Sequence, residues 1–213
     1  YKPSAMLLKL AGDEFKEIHT YQLGEILQTK SNGLIDEFIS YAKQNGGSLK
    51  ISYQDEHLKS IMGMMITIQT VWHIVKQIGS NFDIEFKVEA YRDDKGNANK
   101  ICTNMPSSEV RDKWLTNFTN AWIDDLKYDQ NIEGHLLPVV SVPKRTLTHW
   151  RVLSITCGNK KLSIYPDGGF INEWNIARQP NGERFEVETI TYDTKIYLYR
   201  NKDIKFDIAI ENC

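Results

Sequence analysis

No run of about 18 apolar residues occurs anywhere in the chain, so nothing in it has the composition of a membrane span. The nearest approach, Leu58 to Ile78, is interrupted by Lys59, Gln69, His73 and Lys76. Cysteine is scarce. Cys102, Cys157 and Cys213 are odd in number and widely spaced, with no CxxC pair and no Cys/His spacing of the zinc type. A disulfide framework is thereby excluded, and reduced thiols in a cytoplasmic compartment are the expectation. The other histidines, His19, His57, His73 and His135, are dispersed, and neither a metal nor a cofactor is indicated. An excess of positive charge is also missing. With a net charge of −2 and a pI near 6.2, no global field draws the protein to nucleic acid or anionic lipid. Such binding needs a local patch, for which Lys144, Arg145, Arg151, Lys160 and Lys161 around one expected hairpin are the candidates. A solvated strand surface explains those charges equally well. There is no GxSxG, no Walker-type loop, no GxGxxG, no internal repeat and no low-complexity tract. The opening Tyr1-Lys2-Pro3 has neither Met nor a signal layout, which suggests a fragment of a longer protein.

What is present is a well-mixed globular sequence. Apolar residues make up 41% and aromatics 11% of 213 residues, enough for a packed core and too rich for disorder. Tyr21 to Lys30 has a short helical pattern. Leu34, Ile35, Phe38, Ile39 and Ala42 recur at helical spacing until Asn45-Gly46-Gly47 stops them. Leu49, Ile51 and Tyr53 alternate with polar residues as a strand does. The strongest helix follows Asp55-Glu56 and extends to Ile78, apolar on more than one side. Phe82, Ile84, Phe86 and Val88 then alternate with Asp83, Glu85, Lys87 and Glu89, a strand with one polar face. Ser107 caps a third long helix reaching Lys127, with Trp114 and Trp122 inward.

After Gly134 the texture changes to short β runs: Leu136 to Val142, Trp150 to Thr156, Lys160 to Tyr165 and Phe170 to Ile176. Cys157-Gly158-Asn159 and Pro166-Asp167-Gly168-Gly169 are hairpin signals. Arg184 to Tyr192 and Lys195 to Arg200 read as a further pair, and Ile204 to Ile210 as a last strand. The expected fold is α+β, with helices packed on a mixed sheet in the first two-thirds and antiparallel β hairpins in the last third. Residues 1–134 and 135–213 would form these two parts, packed as one continuous domain.

Two constellations bear chemistry. Glu85-Phe86-Lys87 is an ExK triplet on a strand, with both charges on one face. It resembles the triplet of metal-dependent PD-(D/E)XK nucleases, which implies a metal-dependent nuclease using Glu85 and Lys87. Such sites want another acid on a neighbouring strand, and the preceding strand offers only Asp55, at its end.

The second is His149-Trp150-Arg151 leading into Val152-Leu153-Ser154-Ile155, followed by Gly158-Asn159-Lys160-Lys161 and Pro166-Asp167-Gly168-Gly169. With the strand, long helix, strand, helix order before it, this resembles the phospholipase D-like domains of bacterial multidomain proteins. The likeness covers roughly Leu34 to Ile176. It implies a phosphodiesterase in which His149 attacks phosphorus and Arg151 holds the phosphate oxygens, with Lys160 adding charge and Asp55 near the same sheet edge. Trp150 stands where an Asp often follows the His, and Thr156 where the HxK-x4-D spacing wants Asp, so a catalytically degenerate form is equally implied. Nucleic acid or another phosphodiester is then the expected partner. The alternative is a non-catalytic interaction module of a larger intracellular protein, binding flanking domains or a protein partner through edge strands and the aromatics Trp150, Trp174, Tyr197 and Tyr199.

Overall fold

The computed structural model describes residues 4–10, 17–19, 21–56, 58–59, 61–91, 107–143, 145–147, 151–166, 174–176, 195–198 and 204–213. In chain order the elements are β1 (Ser4–Leu10), β2 (Glu17–His19), α1 (Gln22–Lys30), α2 (Leu34–Asn45), β3 (Leu49–Asp55), α3 (Ile61–Ile78), β4 (Phe82–Glu89), α4 (Ser108–Gln130), β5 (Gly134–Leu136), β6 (Val140–Val142), β7 (Val152–Cys157), β8 (Lys160–Pro166), β9 (Trp174–Ile176), β10 (Lys195–Leu198) and β11 (Ile204–Asn212).

An eight-stranded mixed sheet runs in the order β1-β11-β8-β7-β3-β4-β5, with β6 also on β4. β3, β4, β5 and β6 are parallel, and the strands from β7 outward alternate in direction. The expected α+β class is what the molecule adopts, but the two parts interleave. β3 of the first pairs with β7 of the second, and β1, which carries no clear sequence signal, pairs with β11 at the other end of the chain. Of the pair expected between 184–192 and 195–200, the segment 184–192 lies outside the described residues. β10 pairs with β2 and β9 in a separate three-stranded sheet. The run expected from Leu136 to Val142 is two three-residue strands with Pro138 between them, since proline cannot donate to a ladder.

Register makes one face of the main sheet continuous and apolar. Leu8 lies beside Phe206, Ile208 beside Ile164, Ile164 beside Leu153, Tyr53 beside Leu153, and Ile51 beside both Ile155 and Ile84. The helices cover this face, and their buried residues join these strand residues in a single core. Alternation sends Lys50, Glu85, Lys87, Lys205 and Asp207 to the opposite face, where they are exposed.

Local signals place the helix ends. Gly46 at the end of α2 has φ 58°, the left-handed conformation that glycine adopts without strain. Ser107 accepts a hydrogen bond from the Val110 amide and caps α4. α1 packs on α3 at Gly24, where an added Cβ would stand 2.7 Å from His73 Cβ. That close approach sets the relation of α1 to α3 and hence the shape of the cleft described below.

Candidate functional site

Ligands of open α/β sheets sit beyond the carboxyl ends of parallel strands. In this chain those ends belong to β3 and β4, and charged side chains collect there. Asp55, the last residue of β3, is fully buried, because its position in the alternation faces the helices. Its Oδ2 accepts a hydrogen bond from the Tyr53 hydroxyl at 2.7 Å, and its Oδ1 accepts from Arg151 Nε at 3.3 Å. Arg151 also lies 3.8 Å from the carboxylate of Glu56. Burial, followed by the charge of Asp55, pushes the Tyr53 phenol well above its ordinary range. Tyr53 therefore remains a hydrogen-bond donor.

At the end of β4 a second cluster forms around Arg111, whose 0% exposure is rare for an arginine. Its guanidinium donates to the Glu89 carbonyl at 2.6 Å, to Asp112 at 2.8 Å and to Ser141 Oγ at 3.3 Å, and it stacks 5.2 Å from the Tyr91 ring centre. The Glu89 carboxylate accepts from the Leu147 amide at 3.0 Å. Arg111 thus ties together the end of β4, the first turn of α4 and β6. Sequence reading passed over it, although it occupies the same helical row as Leu115 and Thr119, both buried. A cation on an inward row was the available signal.

The residues expected to make a phosphate site are distributed as follows. Asp55 and Arg151 meet. Lys160 lies at the other end of the β7–β8 hairpin, a strand length of roughly 20 Å from Arg151, and bonds Glu37 at 3.2 Å over the Tyr41 ring. His149, with Trp150, is outside the described residues. Lys161 bonds Glu211 at 3.0 Å, which raises its pKa. Three cations of the expected basic patch, Arg151, Lys160 and Lys161, are therefore answered by carboxylates of the same chain; Arg145 is exposed, and Lys144 is outside the described residues.

Glu85 and Lys87 stand on the open face of β4, beside Ser52 and Gln54 of β3. Neither neighbour is an acid. Among the described residues no group of three or more His, Cys, Asp or Glu is placed to hold a metal ion.

A cleft lies on the other side of the helical layer, between α1, α3 and α4. It encloses about 410 Å³ and is lined by Tyr21, Glu25, Gln69, Trp72, His73, Lys76, Trp122 and Asp125. Trp72 and Trp122 meet edge to face, ring centres 6.1 Å apart at 71°. His73 is engaged by Gln28 at 2.6 Å and Gln77 at 3.0 Å, and burial lowers its pKa. Spacing alone marked Trp122 as an inward residue of its helix and did not bring it into one cleft with Trp72.

Residues 15–205 match the family model described as DEAD/DEAH box helicase YjiV, C-terminal domain. The chain belongs to this family. No curated protein matches it. Membership in the YjiV C-terminal family overturns the likeness to phospholipase D-like domains, and with it the expectation of a phosphodiester-processing domain of that type and of its PD-(D/E)XK alternative. The strand, helix, strand, helix order on which that likeness rested is shared by many α/β units and specifies no chemistry. The roles it lent to His149, Arg151, Lys160 and Asp55 rested on that likeness. Among the described residues of this helicase C-terminal domain, no helix is long and apolar enough to cross a membrane.

Proposed function

We propose that the chain is an accessory domain of a DEAD/DEAH-box helicase that docks against the motor portion of that helicase, with residues 1–134 and 135–213 acting as one body. The family description supplies the helicase context. The absence of a Walker-type loop in the sequence assigns NTP hydrolysis to other parts of such an enzyme. The observation that carries the docking reading is electrostatic: Arg151, Lys160 and Lys161 are engaged by Asp55, Glu56, Glu37 and Glu211. Binding to a nucleic-acid backbone rests on cations available to phosphate, and these three are already paired.

The sheet edge offers a surface of the other kind. β5 and β6 are short edge strands on β4, and among the described residues no further strand pairs with them. Leu137 and Val140 are 40% and 45% exposed there, and Tyr128, near the end of α4, is 91% exposed. Apolar side chains beside an open strand edge suit a protein partner.

The test is to purify this chain and the motor portion separately and mix them. A stable complex is expected, with altered ATPase activity of the motor. Leu137→Asp with Val140→Asp should abolish the complex while the circular dichroism spectrum stays unchanged. Retention of the complex by that double variant, or tight binding to duplex or single-stranded backbone with no affinity for the motor, would sink the reading.

A further inference from the structure

Tyr21 stands at the N-terminal cap of α1, Trp72 lies on α3 and Trp122 on α4, so rings from three helices line one cleft. Trp72 and Trp122 are half-buried. Part of each side chain packs on the hydrophobic core and the remainder is left to the cleft. With their planes at 71° the two indoles make the corner of a cage and not a flat platform. The Tyr21 ring is steadied by stacking on His19, ring centres 5.2 Å apart.

Charge in the lining is uneven. Glu25 and Asp125 are exposed, and among the described residues neither makes an ion pair. Lys76, in the same cleft, makes none either, so it does not answer them as Arg151 answers Asp55 or Lys161 answers Glu211. Burial favours the neutral form of His73, whose Nε2 is already engaged by Gln28 and Gln77. The lining therefore carries two negative charges against one positive.

We propose that this cleft binds an organic monocation, an ammonium on a short apolar stem, with the carbons next to the charge against Trp72 and Trp122 and the charge balanced by Glu25 and Asp125. The face of an indole attracts a cation, and aromatic cages of this kind recognise methylated ammonium groups. A volume of about 410 Å³ suits a small organic molecule. A bare metal ion is not suited, since among the described residues no three ligating side chains converge. The aromatic walls offer no hydrogen-bond acceptor, so a quaternary ammonium, which has no N–H to satisfy, is favoured over a primary one. An anion meets the surplus negative charge and is disfavoured. Because both carboxylates are exposed, each contributes little alone, and the indole corner carries most of the affinity. The inference does not rest on the docking reading, which concerns the β5–β6 edge, and either can fail alone.

An ammonium of this kind is supplied by a free small amine or by a methylated lysine of a polypeptide, and the test separates the two. The full chain is titrated by calorimetry with choline, with its uncharged isostere 3,3-dimethylbutan-1-ol, with inorganic phosphate, and with the acetylated peptide Gly-Gly-Lys-Gly-Gly in unmodified and trimethylated form. Saturable binding of choline or of the trimethylated peptide is expected, at about 1 mM or tighter for so small a ligand. The neutral alcohol should bind at least tenfold more weakly. A trimethylated peptide tighter than choline by tenfold or more assigns the polypeptide source, and any smaller difference assigns the free amine. Glu25→Gln with Asp125→Asn should weaken binding about tenfold, whereas Lys76→Gln should tighten it about threefold. All three positions are exposed, so the thermal midpoint should hold in both variants. A gain in Lys76→Gln is a result that loss of packing does not produce. Equal binding of the alcohol and choline, binding of phosphate alone, no saturation by any cation at tens of millimolar, or unchanged affinity in the Glu25→Gln/Asp125→Asn variant would overturn the proposal.

Discussion

Arg151 Nε lies 3.3 Å from Asp55 Oδ1, a contact between residues 96 positions apart that closes the end of β3 against the start of β7. Both side chains are largely withdrawn from water, Asp55 completely. Arg151→Ala leaves the Asp55 carboxylate buried beside Tyr53 with its guanidinium gone. A loss of about 3 kcal/mol is expected, since breaking one side of a buried pair strands the other charge. Urea unfolding checks it, and an Asp55→Leu/Arg151→Met double variant should recover most of the loss. Equal destabilisation in the double variant would show that packing, not charge, was the cause.

Arg111→Lys tests whether the cluster at the end of β4 depends on the guanidinium fork. Lysine keeps the charge but cannot reach the Glu89 carbonyl, Asp112 and Ser141 together. The expected cost is about 2 to 4 kcal/mol in unfolding free energy. Wild-type stability in this variant would mean that charge alone suffices.

Tyr53 gives a prediction in alkali. Its phenol is held above its usual value of 10.0, mainly by burial and then by Asp55. The unfolded chain therefore loses this proton before the folded one does. The stability that goes with the retained proton is fully present below about pH 10 and declines as pH rises toward the folded pKa. Tyr53→Phe should cost about 1.5 kcal/mol at pH 8 through the lost bond to Asp55. The gap between the two proteins should narrow above pH 10, as urea midpoints at pH 8 and 10.8 would read. A constant gap would contradict the assignment.

His73 has the opposite sign. Burial, then the charge of Lys76, lowers its pKa from 6.5, so its neutral form is favoured in the folded state. That contribution is present above pH 6.5 and is lost as pH falls through the folded pKa. Nuclear magnetic resonance titration of the His73 ring should find a midpoint below 6.5, and a midpoint above that value would refute the burial argument.

Gly24→Ala should separate α1 from α3. The new methyl would meet His73 Cβ at 2.7 Å, and that atom, fixed to the helix backbone, cannot swing aside. Overpacking of this kind costs about 1 to 3 kcal/mol, more than the helix propensity gained. A lower thermal midpoint is expected, and an unchanged one would mean that the helices are less closely held.

Much of the fold was legible because its elements carry local periodicity. The apolar spacing of α2, α3 and α4, the alternation of β3 and β4, and the glycine between β7 and β8 each depend on residues close in sequence. β1 and β2 escaped notice because Ser4–Leu10 and Glu17–His19 are too short or too irregular to alternate clearly. The candidate site was far less legible. Asp55 and Arg151 were both singled out, but for a phosphate site drawn from the likeness of element order, which many unrelated sheets share. Glu25 and Asp125 carried no signal, because spacing within one helix cannot reveal that acids of two helices share a cleft with aromatic rings.

The order of helices and strands, the near-neutral surface charge and the absence of a nucleotide-hydrolysis loop were thus determined by the sequence alone, since each depends on residue type or on spacing within one element. Tertiary structure decided the pairing of β1 with β11, the closure of Asp55 on Arg151, the burial of Arg111 and the meeting of Trp72, Trp122 and Glu25 around one cleft. Those features join segments distant in the chain. They exist only because packing one apolar sheet face under four helices brings the segments together, and no local pattern encodes that.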